Sequence, residues 1–412
     1  MQTYHVAMIG YRFMGKAHSF GIGNAPFFFD DDLMPVKKVI CGRNEPLVSQ
    51  AAAQLGWEEY ETDWRKVVNR PDIDVVDIAT PPVNHCEIAL AAIAAGKHVF
   101  CEKPLAMNAA EARRMLEAAE RAGIAHMLGH NYRRVPAIAF AHDLIGQGAI
   151  GDVRQFRAVY LQDWLMDPAH PMDWHLDAAI AGTGPHSDLH AHVVDLARWL
   201  VGEIAAVVGM QETFIGQRPV GLQDPLVKGR SASRGAQGNG KAKKQPDNLA
   251  GGTLPTSNPD SGEDLMDVTV EDASLFLARF TNGAIGTFEA TRMAGGHKNA
   301  LRFEINGSRG TIAFDLERMN ELQFWSMNEP QNLQGFRTIL VTEKTHPYMD
   351  HWWPAGQMLG YENTFINEFA DFFRCIRQKK PCSPNFHDGW RCSLVLDAVE
   401  RSWDSGLWEK CE

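Results

Sequence analysis

Short apolar runs alternate with single helical patterns through the first 130 residues, and this order most narrows the folds open to the chain. Val6-Ala7-Met8-Ile9 stops at Gly10, and a helix begins by Gly15. Val36 to Cys41 predicts a second strand, followed by a helix over Glu45 to Leu55. Val75 to Ala79, His98 to Cys101 and Ala125 to Leu128 predict further strands. Between them lie helices over His85 to Ala95, closed by Gly96, and Asn108 to Ala122, where Asn108 and Glu111 form a capping box and Gly123 is the stop. Strands joined by single helices need right-handed crossovers and pack as a parallel sheet covered on both faces. Residues 1–133 are therefore expected to form a doubly wound, Rossmann-type α/β domain that binds a dinucleotide.

From about Asp152 the pattern changes to longer alternating runs: 153–160, 274–280, 284–290 and 301–305, with Asn282-Gly283 as a hairpin turn. This predicts a second, α+β domain over 134–412, built on a large, open, mainly antiparallel sheet with one wet face. Residues 227–262 are rich in Gly, Ser, Asn and Pro and are expected to be a flexible insertion. Their lysines and arginines lack interleaved aromatics, so a solvated loop is expected rather than a base-stacking surface. With 40 basic against 51 acidic residues the net charge is -11, which argues against a nucleic-acid partner. No run reaches the roughly 18 apolar residues of a membrane span, and the first residues lack a signal-peptide pattern, so a soluble cytoplasmic protein is expected. Seven cysteines, an odd number without a C-x-x-C pair, predict reduced thiols and no zinc site.

Gly10-Tyr11-Arg12-Phe13-Met14-Gly15 stands where a G-x-G-x-x-G turn brings the backbone against a pyrophosphate, with Arg12 replacing the middle glycine. The second strand ends in Cys41-Gly42-Arg43-Asn44, without the acid that binds a free ribose. Arg43 thus favours NADP on charge, with Asn44 as a neutral hydroxyl partner. Asp30-Asp31-Asp32 precedes that strand and is expected to be a solvated loop. Thr80-Pro81-Pro82 ends the next strand at the cofactor crevice. Glu102-Lys103-Pro104 then places a lysine where it can bond a substrate hydroxyl and, if desolvated, titrate near neutrality. Further on, Asp188 and His192 are four apart on one helical face, a spacing that lets a carboxylate orient and charge-stabilise an imidazole. His186, His190 and Asp188 as metal ligands are a competing reading that lacks the companion spacing of a zinc enzyme.

In this order and spacing these motifs resemble the Gfo/Idh/MocA oxidoreductases across nearly the whole chain. Gly129 to Arg134, Asp163-Trp164, Asp167-Pro168 and Gly360-Tyr361-Glu362 look like a branch acting on pyranose sugars and anhydrosugars. The resemblance implies Lys103, Asp188 and His192 as the catalytic set, with His192 as acid/base. It implies a cofactor crevice of Gly10, Arg12, Phe13, Met14, Gly15, Gly42, Arg43, Asn44, Thr80, Pro81, Pro82, His85, Glu102, Lys103 and Asn131. NAD is favoured in that branch over the NADP suggested by Arg43. Tyr132, Arg133, Trp164, Trp174 and His175 are expected around the sugar, since aromatic faces suit a pyranose. Arg157 and Arg292 are candidates for an anionic substituent. Pro185-His186-Ser187 departs from the Ala-Leu-Gly of many relatives.

The expected reaction is hydride transfer between a secondary sugar alcohol and nicotinamide, with His192 taking the hydroxyl proton and Lys103 polarising the forming carbonyl. The alternative is an NAD-dependent glycoside hydrolase working by transient oxidation, elimination and re-reduction through the same residues. A cofactor-bound sensor without catalysis is the third reading, and the intact Lys103 and His192 argue against it. By resemblance the chain is expected to form a homodimer or homotetramer.

Overall fold

A computed structural model describes residues 2–29, 33–220 and 264–412. The acidic run at 30–32 and the insertion expected at 227–262 lie outside the described residues. Six strands form the first sheet: β1 (Gln2–Ile9), β2 (Leu33–Cys41), β3 (Glu59–Glu61), β4 (Val75–Ile78), β5 (His98–Glu102) and β6 (His126–Gly129). Their order is β3-β2-β1-β4-β5-β6 and every pair is parallel. The order reverses between β1 and β4, which opens a crevice at the carboxyl ends of the central strands. β4 is buried along its whole length, as a strand covered on both faces must be.

The helices follow the sequence signals closely. α1 (Phe13–Phe28) begins inside the glycine turn, two residues before Gly15. α2 (Glu45–Leu55) is capped by Asn44, whose side chain accepts the Leu47 amide, and stops at Gly56 in the left-handed region. A short α3 (Trp64–Val68) and the strand β3 were not anticipated; three-residue and five-residue segments carry too little periodicity to register. α4 (His85–Ala94) and α5 (Ala109–Ala122) complete the layer, with Asn108 accepting the Glu111 amide at 2.9 Å.

After α6 (Pro136–Gly146) comes the long strand β7 (Val153–Leu161). α7 (Ala178–Ala181) precedes a single π turn (His186–His190) that runs into α8 (Ala191–Leu200). The strands that follow are β8 (Ile204–Glu212), β9 (Gln217–Pro219), β10 (Leu265–Asp267), β11 (Ala273–Phe280) and β12 (Ile285–Thr291). They are succeeded by β13 (Ala300–Gly307), β14 (Gly310–Asp315), β15 (Glu321–Ser326) and β16 (Arg337–Leu340). α9 (Tyr361–Gln378), α10 (Phe386–Ser405) and β17 (Glu409–Lys410) end the chain. Among the described residues the second sheet has the order β16-β15-β14-β13-β7-β12-β11-β8-β17, antiparallel except for the β7–β12 pair. β11 alternates between buried and exposed residues, with Phe276, Ala278 and Phe280 turned inward. Phe156, Phe276, Phe288 and Phe303 share one core with α6, α8 and α10.

The cores are not divided by a single cut in the chain. α9 packs along α1, and its Phe369, Phe372 and Phe373 are buried with Val6, Met8 and Phe100 beneath the first sheet. α10 touches α5 and β6 on one side and α8 and β8 on the other.

Candidate active site

The glycine turn is built by close backbone approach. Gly10 has φ 115°, a conformation that favours glycine, and its amide donates to Cys41 O at 2.9 Å. A Cβ on Gly15 would stand 2.6 Å from Gly10 O, so the amino end of α1 can sit tightly on the turn only with glycine there. Phe13 is exposed at the start of the helix, and Tyr11, unmarked in the sequence, lays its ring against Gly42. Asn44 is spent as the α2 cap and Arg43 is exposed beside it.

Two turns bring the strand ends together. His85 is fully buried, with Nδ1 2.9 Å from Pro104 O and Nε2 2.7 Å from Thr80 O, and so clamps the Thr80-Pro81-Pro82 turn to the Lys103-Pro104 turn. Thr80 Oγ1 is buried at this crevice without a partner. That orphan hydroxyl, the amides at the start of α1 and the glycine cradle fit a dinucleotide. Asn131 is buried and donates to Thr364 Oγ1 at 2.9 Å.

Lys103 leaves the end of β5 and meets the π turn of the second sheet region. Its Nζ donates to Asp188 Oδ1 at 2.6 Å and to Asp188 O at 3.0 Å. Asp188 Oδ2 accepts from Arg292 Nη2 at 2.7 Å. Burial opposes the Asp188 charge, but Lys103, Arg292 and His175 outweigh it and hold the carboxyl well below the usual carboxylate range. Burial likewise presses Lys103 toward neutrality, yet Asp188 and Glu102 raise it above an ordinary lysine. The expected near-neutral titration is therefore corrected: Lys103 stays an ammonium. The expected pairing of Asp188 with His192 is corrected too, because both carboxylate oxygens go to cations, which attract them more strongly than a neutral ring.

His192 stands at the start of α8 beside Tyr132, ring centroids 4.5 Å apart, with His130 at 5.7 Å. Burial and the neighbouring Lys103 and His130 push it well below the ordinary imidazole value, against a smaller opposite pull from Asp188. Its Nδ1 is buried without a partner. The cluster therefore joins a neutral base to two cations and one carboxylate, an excess of positive charge suited to an oxygen that becomes anionic.

A polar belt continues from His192. Tyr132 and Tyr160 hydroxyls are 2.7 Å apart, and Tyr160 donates to Asn299 Oδ1 at 2.8 Å. Gln162 Nε2 donates to the same oxygen at 2.9 Å, and Trp164 Nε1 donates to Gln162 Oε1 at 2.8 Å. Tyr160, Gln162 and Asn299 were missed: the spacing 160, 162, 164 continues one face of β7 past its end, but nothing in the sequence marks Asn299 as their partner. Trp174 stacks on His175 with centroids 3.7 Å apart, and His175 is held by Asp173. Arg292 lies 5.3 Å from the Trp164 ring centroid and is committed to Asp188, so a role in holding an anionic substituent does not fit it. Arg157 lies elsewhere, on the exposed sheet face, bonded to Glu304, Asn306 and Gln155. Arg133 turns inward to Asp195 and Asp388 and is buried, so its guanidinium is committed to these carboxylates and does not fit the expected place around a sugar. His186 and His190 pair in the core, Nδ1 to Nδ1 at 3.1 Å, while Asp188 faces the cations, so the competing metal set is not assembled.

A parallel sheet with a dinucleotide crevice, joined through an ion pair to an open sheet that carries an acid/base cluster, defines a two-part nicotinamide-dependent oxidoreductase. The chain belongs to the Gfo/Idh/MocA family: residues 4–130 match the oxidoreductase family with an NAD-binding Rossmann fold, and residues 138–313 match the GFO/IDH/MocA C-terminal domain. It is 41% identical to levoglucosan dehydrogenase of Pseudarthrobacter phenanthrenivorans, over 99% of this chain and 98% of that protein. An oxidoreductase domain protein from Kribbella flavida has a crystal structure that superposes with TM-score 0.88 at 45% identity, each chain covered completely. Levoglucosan dehydrogenase in complex with NADH and levoglucosan superposes with TM-score 0.87 at 40% identity, with 99% of each chain covered. The first domain is thus an NAD-binding Rossmann domain, and the protein is an oxidoreductase of this family.

Proposed function

We propose that the chain oxidises a secondary alcohol carbon of an anhydropyranose such as levoglucosan. The observation that carries this is the Lys103–Asp188 ion pair at the mouth of the crevice, beside a His192 held neutral. NAD held in this crevice would supply the hydride acceptor for the alcohol carbon. His192 takes the hydroxyl proton, and the Lys103 ammonium donates a hydrogen bond to the substrate oxygen as it gains charge. Asp188 keeps that ammonium charged and, with Arg292, fixes its direction. Thr80, Pro81, His85 and the turn from Gly10 to Gly15 hold the cofactor, while Tyr132, Trp164, Trp174 and His175 border the sugar. The whole-length relative is named a dehydrogenase, and no observation favours redox-neutral glycoside cleavage over net oxidation.

The test is absorbance at 340 nm with NAD or NADP against levoglucosan, free sugars and aryl glycosides. Reduced cofactor in step with oxidised levoglucosan is expected; release of an aglycone without net reduction would overturn the reading. Lys103→Ala and His192→Ala should each lower turnover at least ~10²-fold while NADH still binds.

The same reading includes division of the chain near residue 133, assembly as a homodimer or homotetramer and a cytoplasmic location. Met210, Leu275, Leu277 and Ile285, exposed on the second sheet, support an assembly face. Sedimentation velocity at micromolar concentration tests it. Among the described residues no helix is long and apolar enough to cross a membrane, and all seven cysteines are free, which supports the location.

A further inference from the structure

A buried ion cluster outside the reacting groups joins the cofactor helix to the lysine. His18, three residues after Gly15 on α1, has no exposed surface. Its Nδ1 lies 3.0 Å from both oxygens of Asp77 on β4, and its Nε2 lies 3.0 Å from Glu102 Oε1 at the end of β5. Phe100, Phe365 and Phe369 wall the ring with centroids 5.2–5.6 Å away. A neutral imidazole donates from one nitrogen only and would turn a lone pair on a carboxylate oxygen at the other. With carboxylates at both nitrogens, the ring satisfies both as an imidazolium. Burial opposes that charge, but Asp77 and Glu102 outweigh it and lift His18 to about 10. The second oxygen of Glu102 accepts the backbone N–H of Lys103 at 3.2 Å. Room for this carboxylate is kept by Gly129, where a Cβ would stand 2.7 Å from Glu102 Oε1.

We infer that His18 is a positioning residue for Lys103, acting through Glu102. The lysine is then held at both ends by carboxylates: its amide by Glu102, which His18 orients, and its ammonium by Asp188. Such a residue moves the reacting lysine without touching substrate. It is neither a cofactor ligand nor a general acid. Removing the imidazolium leaves Asp77 and Glu102 as buried like charges near Glu368, whose own two carboxyl oxygens are buried without partners. Glu102 must then shift, which releases the Lys103 amide, or take up a proton, which weakens it as the acceptor of that amide. The loss falls on the chemical step rather than on binding. This inference rests on the reading of Lys103 as the group that polarises the substrate oxygen.

The experiment compares full-length His18→Gln, Glu102→Gln, the double variant and Lys103→Ala by kcat and KM with levoglucosan and NAD. NADH affinity is followed by tryptophan fluorescence and folding by circular dichroism. For His18→Gln the expected result is a fall in kcat of tenfold or more, with KM and NADH affinity within about threefold of wild type. The double variant should lose no more than the worse single one, because both act on one link. A wild-type kcat in folded His18→Gln, additive losses in the double variant, or NADH affinity falling in step with kcat would each overturn the inference. If His18→Gln fails to fold, Glu102→Gln carries the test, and a wild-type kcat there overturns it. An active Lys103→Ala sinks the reading of the lysine itself. An inactive Lys103→Ala beside a fully active His18→Gln sinks only the role of His18.

Discussion

At the scale of single residues, the site works by setting protonation states against one another. A base whose folded value lies well below 6.5 stays unprotonated, and competent, at pH values where an ordinary imidazole would be charged. The acid limb of kcat/KM for sugar oxidation is therefore expected below pH 6.5, and a pH–rate profile checks it. The direction follows from burial together with Lys103, so replacing that ammonium should let His192 titrate closer to 6.5, measurable by NMR of the imidazole in Lys103→Ala. The residues proposed to react stand out in the sequence, because a lysine fixed by proline at a strand end and a helical Asp/His pair are unusual combinations. Their pairing was not. Spacing in sequence put Asp188 against His192, whereas the fold delivers two cations from distant positions, 103 and 292, to the same carboxylate. Arg157 failed as a substrate candidate for a related reason: alternation along β7 decides the face, and its neighbours Phe156 and Ala158 are the inward ones.

At the scale of elements, the strand–turn–helix unit depends on the approach of α1 to the Gly10 turn. Gly15→Ala would place a methyl 2.6 Å from Gly10 O and push the helix outward. NADH affinity should fall about tenfold or more while the fold persists, which a fluorescence titration with circular dichroism would show. The parallel sheet could be foreseen because its strands and helices repeat with clear caps, such as Asn108 and Gly123 around α5. The central strands of the second sheet could be foreseen from their period-two alternation. The π turn over His186–His190 could not, since a widened turn leaves no mark in apolar spacing. Nor could the Tyr160–Asn299–Gln162 belt, whose members lie 139 and 137 residues apart along the chain and meet only when β7 is in place.

For the whole molecule, stability is shared between the halves through α9 and α10. Phe369 is buried under the first sheet although it comes from the end of the chain. Phe369→Ala should cost about 3–5 kcal/mol and lower the unfolding midpoint in denaturant. Glu368 beside it has a carboxyl that burial pushes up to about 8, with both oxygens unpartnered. The folded protein thus holds a proton that the unfolded chain gives up near 4.5, so stability is lost as pH rises from 4.5 through 8. Glu368→Gln should therefore melt higher than wild type at pH 8, by the order of 2 kcal/mol after the amide's own desolvation, with the gap closing toward pH 4.5. The ion pair between the end of β5 and the π turn also bears on inheritance. A recombinant that exchanged everything after the first sheet for a relative's sequence would need, from one donor, an acid to meet Lys103 and aromatic rings shaped for the underside of β1. Halves that must match at two separate places are passed on together, and new substrates are more readily reached by altering the belt proposed to border the sugar than by trading domains.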